Sequence, residues 1–264
     1  MIHGIKNSFL YSAKKISVQC SRGAETANFQ GTGFFVITAN SQSFLVTNRH
    51  VVDPGYSDPK FKGFVMDRLA IESHISIDQN GQPLGFKKVS ITNAIVGFAE
   101  NQHNDVVCLT NLTLSDSLTV NSAIEYNLLA DKEWINTKLT VCDGIAYPGF
   151  PEWFDHQKNI PIFRIGTIAS DPRTDYCYQQ DDPVAARIAY EGFSSGGSSG
   201  SPVFAAQKGF PVGDGLQAPE GFFREMKLIG INAGHFHSDK GHSGISYFYK
   251  SSVIKDIIDK MMKK

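Results

Sequence analysis

The feature that most constrains the fold of this chain is a succession of short runs rich in Val, Ile, Phe and Thr, each bounded by Gly, Asn, Asp, Ser or Pro. Such runs are typical of β-strands. They do not alternate with helical segments, which favours an antiparallel sandwich or barrel over a parallel α/β sheet. The predicted strands are 16–20, 33–37, 44–47, 74–77, 89–91, 106–109, 138–142, 162–169, 186–190, 202–205 and 228–232.

The C-terminal segment 251–264 is the one convincing helix in the sequence. Its apolar residues recur on one face, and Ser251 or Ser252 is suited to cap its first turn. We therefore predict a helix that packs against a barrel. The Asn80-Gly81 pair within 79–82 predicts a type I′ hairpin turn, and 53–62 and 207–221 are predicted surface loops.

Bulk composition narrows the set of partners. The 264 residues carry a formal net charge of -1, so no strong field attracts nucleic acid or anionic lipid. We expect no nucleic-acid partner and no membrane partner, since no run approaches the roughly 18 apolar residues that span a bilayer. The first twenty residues do not resemble a secretory signal. The four cysteines are widely spaced, which predicts free, reduced core thiols and a cytoplasmic location.

Three segments carry the residue types of a nucleophilic site. SFLVTNRHVVD places His50 just after a predicted strand, HNDVVCLT places Asp105 just before one, and GGSSGSPVF contains Ser199. A serine hydroxyl attacks well only when a neutral imidazole takes its proton and a carboxylate holds that ring in the correct tautomer. We therefore assign His50, Asp105 and Ser199 these catalytic roles.

With these motifs, the chain resembles the trypsin/chymotrypsin-like serine peptidases. In motif style it is closest to the bacterial high-temperature-requirement branch, where Thr-Asn-x-His-Val-Val is the histidine motif. The likeness runs from about Gly31 to the C-terminal helix and includes GTGFFV, RIGTIAS and LIGINAG. It implies an all-β chymotrypsin-like fold of two antiparallel six-stranded β-barrels with a C-terminal α-helix. We expect one barrel in 1–125, a second in 126–264 including helix 251–264, and no PDZ domain.

The serine-rich run 194–204 would be a mobile linker in most contexts. Here, however, it ends in Pro-Val-Phe and contains Gly197-Ser198-Ser199-Gly200-Ser201-Pro202, which differs from the family's Gly-x-Ser-Gly-Gly-Pro only at Ser201. Only Ser199 has a glycine on both required sides. The resemblance implies that the backbone N–H groups of Gly197 and Ser199 form the oxyanion hole.

The expected substrate specificity rests on the resemblance alone. The resemblance implies a P1 pocket with walls formed by 193–196 and 231–235. This pocket holds the substrate side chain that precedes the scissile bond. Phe193 stands near the position of the acid in trypsin-type enzymes, so Arg and Lys are not expected at P1. The Gly-Ile-Asn motif favours small aliphatic side chains at P1. The polar residues Ser194, Asn232 and His235 keep Glu or Gln at P1 as an alternative. The predicted pocket residues are Phe193, Ser194, Asn232, Ala233 and His235.

We therefore predict a serine endopeptidase that works through an acyl-enzyme on a protein or peptide substrate. The alternative is a catalytically silent peptidase-like barrel that acts as a protein-binding module. His235, His237 and His242 do not form a complete zinc-type set, so no metal and no cofactor are expected. Ser198 replaces the acid that serves zymogen activation in digestive members. Control of activity by a separate activating or target protein is a further hypothesis.

Overall fold

The structure, a computed structural model, describes residues 5–74, 85–114, 122–209, 223–238 and 241–263. The predicted hairpin turn at 79–82 and most of the predicted loop 207–221 lie outside these residues. Within them, two β-sheets and a C-terminal helix account for most of the regular structure. The helices are α1 Arg49–Val52, α2 Lys132–Lys138 and α3 Ser251–Met262.

The first sheet is formed by the N-terminal half of the chain. Its strands run in the hydrogen-bonded order β6-β7-β3-β2-β1-β4-β5-β8, and β9 pairs with β2. The strands are β1 Ala13–Arg22, β2 Glu25–Ile37, β3 Ser43–Thr47, β4 Val65–His74, β5 Phe86–Thr92, β6 Ile95–Phe98, β7 Val107–Thr110, β8 Thr113–Leu114 and β9 Ile124–Glu125.

This sheet curls because the continuous segment that contains β5 and β6 pairs near one end of the strand order through β5 and at the other end through β6. β5 and β6 stand far apart in the strand order, yet only Asn93 and Ala94 separate them in the sequence. Asn93 has a left-handed φ of 57°, a conformation that asparagine tolerates better than most residues. The chain bends there, so β5 pairs with β4 and β6 with β7. The inward faces of the curled sheet enclose a continuous apolar core.

The second sheet is a closed barrel of six antiparallel strands in the order β10-β11-β12-β15-β14-β13. Its interior is filled by large side chains such as Tyr147, Tyr190 and Phe248, which are fully buried. The strands are β10 Gly144–Gly149, β11 Ile162–Ile168, β12 Arg187–Glu191, β13 Pro202–Ala205, β14 Lys227–Ser238 and β15 Gly241–Lys250.

The mostly-β fold with a terminal helix is confirmed, and one strand prediction is wrong. The predicted strand 138–142 is the end of α2 and a turn, because the Asp131 side chain caps the helix by accepting from the Trp134 N–H at 2.7 Å. Of the predicted strand 74–77, only His74 is described, and it ends β4. The sequence analysis missed β6, β8, β9, β10 and β15, and all of β4 except His74.

The cysteine prediction is confirmed only in part. All four thiols are free, but Cys142 and Cys177 are exposed, while Cys20 and Cys108 are buried. Cys142 lies in the turn after α2 with a φ of 65°, which explains its exposure. Among the described residues, no helix is long and apolar enough to cross a membrane.

Helix α3 packs across the junction of the two sheets. Val253, Ile254, Ile257 and Ile258 are buried in one cluster with side chains from both sheets, among them Phe44, Val106, Leu228 and Ile231. Ser251 does not cap the helix as predicted. Its hydroxyl instead donates to the Ala130 carbonyl at 2.6 Å, which fixes the start of the helix against the chain that links the sheets.

Because Ile254 is fully buried in this shared cluster, Ile254→Ala should lower the free energy of unfolding by about 2–5 kcal/mol. The measurement is urea unfolding followed by circular dichroism. Met262→Ala on the same helix is the matched control, since Met262 is 39% exposed and its change should stay within about 0.5 kcal/mol. Equal losses in the two variants would contradict this packing of α3.

Candidate active site

His50 and Asp105 are brought together by the pairing of β3 with β7. In this antiparallel register Thr47 lies opposite Val107, so the residues that follow β3 approach those that precede β7. Asn48 secures the approach, because its side-chain amide donates to the Asp105 carbonyl at 2.7 Å. The His50 Nδ1 lies 2.5 Å from the Asp105 Oδ2, and the His50 backbone N–H donates to the Oδ1 at 2.9 Å.

The environment of this pair sets the charge of the imidazole. Burial lowers the pKa of His50, but the charge of Asp105 and its hydrogen bond to the ring raise it, and the net pKa lies above the ordinary 6.5. Asp105 is buried, whereas the His50 side chain keeps 26% of its surface exposed. When the ring is neutral, Nδ1–H donates to the carboxylate, so Nε2 is the nitrogen that can accept a proton.

Ser199 lies in the loop before β13 and is held by both sheets. Its carbonyl accepts from the Thr32 N–H in β2 at 2.8 Å, and its hydroxyl donates to the Ala233 carbonyl in β14 at 3.0 Å. Within the part of the chain that the structure describes, this hydroxyl bonds to Ala233 and not to His50. The three predicted residues therefore form one hydrogen-bonded pair and one separately held serine.

Gly31 lies between the Ser199 loop and the helix that carries His50. A Cβ at Gly31 would stand 2.8 Å from the Val51 side chain and 3.3 Å from the Ser199 carbonyl oxygen. Val51 directly follows His50 in α1. The missing side chain of Gly31 thus allows the Val51 side chain of α1 and the Ser199 carbonyl to approach the same point on β2.

Two glycines give the serine loop its path. Gly197 and Gly200 have left-handed φ angles of 85° and 90°. A Cβ at Gly197 would overlap the Phe150 carbonyl oxygen, and one at Gly200 would overlap the Thr32 carbonyl oxygen. Among the described residues, the N–H groups of Gly197 and Ser199 donate no hydrogen bond to the protein. Backbone N–H groups without a partner in the protein are the donors that an oxyanion site uses.

The residues predicted for the P1 pocket have different surroundings. Phe193 is 64% exposed, and Ser194 is buried. Asn232 is fully buried: its Oδ1 accepts from the Tyr190 hydroxyl at 2.7 Å, and its Nδ2 donates to the Ser194 Oγ at 2.9 Å and the Ser198 carbonyl at 3.0 Å. Ala233 contributes the carbonyl that holds Ser199, and the ring of His235 stacks on that of His242 at 4.3 Å.

Sequence reasoning missed three residues of this neighbourhood: Tyr190, His242 and Ser246. His242 enters the sequence analysis only as a candidate metal ligand that is set aside, and Ser246 lies on β15, which the strand pattern does not predict. No local signal could have found them, because the pairing of β12 with β15 places Ser246 opposite Tyr190 and brings His242 and Ser246 beside Ser194. No group of three or more metal-ligating side chains occurs among the residues that the structure describes.

Comparison with solved structures identifies the architecture. The chain is similar to the HtrA-type protease AlgW with a tripeptide, at a TM-score of 0.55 and 14% sequence identity over 96% of this chain. It is also similar to the protease Anisep from Arthrobacter nicotinovorans, at a TM-score of 0.58 and 13% identity over 96% of each chain. The chain has a chymotrypsin-like double-barrel fold.

That fold confirms the likeness to HtrA-type and trypsin-like peptidases at the level of architecture. The chain spans 61% of the AlgW structure with the tripeptide and 66% of another AlgW structure with a decapeptide. In sequence comparisons, no protein-family model and no curated protein matches it.

A Cβ at Gly200 would overlap the Thr32 backbone, and an alanine there would be held at a strained, left-handed φ. Gly200→Ala should therefore lower the free energy of unfolding by more than about 1 kcal/mol. Gly196→Ala is the matched control in the same loop, since a Cβ there meets no atom within 4 Å. Urea unfolding measures both variants. A Gly200→Ala protein as stable as the control would show that the loop does not approach β2 this closely.

Proposed function

We propose that this protein is a serine endopeptidase that hydrolyses peptide bonds through an acyl-enzyme intermediate, with His50, Asp105 and Ser199 as its catalytic residues. The observation that carries the proposal is the 2.5 Å contact between the His50 Nδ1 and the Asp105 Oδ2, with the Ser199 carbonyl and Val51, the neighbour of His50, both beside Gly31. The AlgW structures with a tripeptide and a decapeptide support a peptide or protein as the substrate.

The chemistry assigns one task to each group. The Ser199 Oγ attacks the scissile carbonyl carbon while His50 Nε2 takes its proton, and Asp105 stabilises the resulting imidazolium. The N–H groups of Gly197 and Ser199 stabilise the oxyanion. The C–N bond then breaks as His50 gives the proton to the leaving amine. A water molecule, deprotonated by His50, hydrolyses the acyl-enzyme in the same way.

This cycle requires one movement. In the free protein the Ser199 hydroxyl donates to the Ala233 carbonyl. It must rotate about χ1 toward His50 before it can transfer its proton. The side chain is small and partly exposed, and exposed rotamers interconvert in ps–ns, far faster than typical turnover.

The remaining assignments extend the same proposal. We place the two barrel units at 1–125 and 126–264, so that the first contributes His50 and Asp105 and the second contributes Ser199. The P1 pocket is formed around 193–196 and 231–235 and takes a small aliphatic side chain or Glu or Gln, not Arg or Lys. The four free thiols fit a reducing cytoplasm. A separate activating or target protein is proposed as the regulator.

A catalytically silent barrel that binds proteins is the second candidate. One observation favours it, namely the bond of the Ser199 hydroxyl to Ala233 in place of His50. A fluorophosphonate probe separates the two candidates, because it labels only a serine that a general base activates.

Ser199→Ala should abolish fluorophosphonate labelling and lower peptide turnover by about 10⁶, the magnitude known for removal of such a nucleophile from subtilisin. Ser201→Ala in the same loop is the control and should retain labelling. The readouts are in-gel fluorescence and peptide cleavage followed by mass spectrometry. Unchanged cleavage by Ser199→Ala would refute the catalytic assignment.

The pH dependence of kcat/KM should report the His50–Asp105 pair. Since the pKa of His50 lies above 6.5, the protonated ring persists above that pH, and activity should rise through an acidic limb whose midpoint exceeds 6.5. In Asp105→Asn, burial still lowers the pKa of His50 but no carboxylate raises it, so the midpoint should move to lower pH. The rate should also fall by about 10⁴, as in the trypsin example, because the tautomer is no longer fixed. An unshifted midpoint in Asp105→Asn would count against this pairing.

A further inference from the structure

Three aromatic rings form a ladder between the two segments proposed to wall the P1 pocket. Phe193 precedes the nucleophile, His235 follows the Ala233 carbonyl in β14, and His242 lies between their rings. The ring centroids of Phe193 and His242 are 4.9 Å apart, and those of His242 and His235 are 4.3 Å apart with 15° between the planes. Rings at these separations are in van der Waals contact, so no other side chain fits between them.

His242 is the central ring and is fixed in position by the backbone. The Gly244 N–H donates to its Nδ1 at 2.8 Å, so that nitrogen bears no proton and the neutral ring carries its hydrogen on Nε2. Nε2 lies 3.4 Å from the Ser246 Oγ. The Ser194 N lies 3.2 Å from both Nε2 and this Oγ, and since Nε2 bears hydrogen, the N–H donates to the hydroxyl. These contacts hold the ring against both β15 and the segment before Ser199.

Three polar side chains beside the ladder are already engaged. The Ser246 hydroxyl donates to the Gly192 carbonyl at 2.8 Å. Burial raises the pKa of Tyr190 well above 10, so its hydroxyl stays protonated and donates to Asn232. The Asn232 amide in turn donates to the Ser194 hydroxyl and the Ser198 carbonyl, while the Ser195 and Ser198 hydroxyls are buried without a partner among the described residues. A buried charge without a partner is costly, and these neutral groups disfavour a charged P1 side chain.

We infer that the Phe193–His242–His235 ladder closes the P1 pocket to all but small side chains, with His242 as the residue that sets the limit. The inference rests on the proposed peptidase function and decides between its two P1 alternatives. The substrates it selects have Gly, Ala or Ser before the scissile bond. Larger aliphatic and aromatic side chains meet the rings, and acidic side chains meet the buried neutral groups beside them.

The test removes the central ring and asks whether the pocket widens. Wild-type protein, His242→Ala and the exposed-histidine control His103→Ala are incubated with peptides that differ only at P1, namely Ala, Leu, Phe or Glu. In wild type and control, kcat/KM should be highest for Ala, by about 10-fold or more over the others. In His242→Ala, kcat/KM for Leu and Phe should rise by about 10-fold or more, while the Ala peptide changes much less.

A structural role of His242 would lower every rate together, whereas a limit on size predicts a gain for large side chains. A wild-type protein that cleaves after Leu, Phe or Glu as fast as after Ala overturns the inference. The inference is also overturned if His242→Ala labels normally with fluorophosphonate but shows no gain for Leu or Phe.

Two controls separate this inference from the proposed function. If wild type does not label, or Ser199→Ala still cleaves, the proposed function has failed, whatever the P1 pattern. If His242→Ala loses labelling because the wall has collapsed, Phe193→Ala replaces it. That variant removes the exposed end of the ladder and leaves the hydrogen bonds of His242 and its stacking on His235 intact. A gain for Leu and Phe in Phe193→Ala supports the ladder, and no gain overturns it.

Discussion

The close approach of β2 to the serine loop is the constraint on which the rest of the site depends. Thr32 makes it, because its N–H donates to the Ser199 carbonyl and its hydroxyl donates to the Gly197 carbonyl at 2.6 Å. Its own carbonyl accepts from the Thr47 hydroxyl at 2.8 Å. Each such bond contributes about 0.5–1.5 kcal/mol, and leaving one partner buried and unpaired costs more. The serine loop is therefore positioned by the first sheet as well as by its own.

The same approach explains where the sequence must be glycine. Gly31, Gly197 and Gly200 all lie where a Cβ would press against backbone or a buried side chain. Gly31 leaves room for Val51 of the His50 helix and for the Ser199 carbonyl, and the other two turn the loop past Phe150 and Thr32. The proposed site requires this because neither sheet carries all three of its residues. Helix α3 adds a shared apolar core below the junction, so the two sheets are held by packing as well as by hydrogen bonds.

Ser199 and the segment before it are held by two strands of the second barrel. Ser199 bonds to the backbone of β14 through Ala233, whereas Phe193 and Ser194 contact His242 and Ser246 of β15. The Asn232 side chain joins the two parts, since it donates to both Ser194 and Ser198. The proposed size limit at His242 therefore acts on the segment before Ser199 and not on the bond that holds Ser199 itself.

The sequence by itself determined the fold class, the terminal helix and the choice of His50, Asp105 and Ser199 as the proposed catalytic residues, because strand composition, helical periodicity and short motifs are local properties. The strand prediction for 138–142 is wrong because the segment follows a helix that Asp131 caps, and this capping bond lies outside the strand-like run itself. Only the tertiary structure decided that Ser199 rests on Ala233, that Asn232 is engaged by three groups, and that His242 stands between Phe193 and His235. Those contacts arise from strand register and from the meeting of segments distant along the chain, which no local pattern encodes.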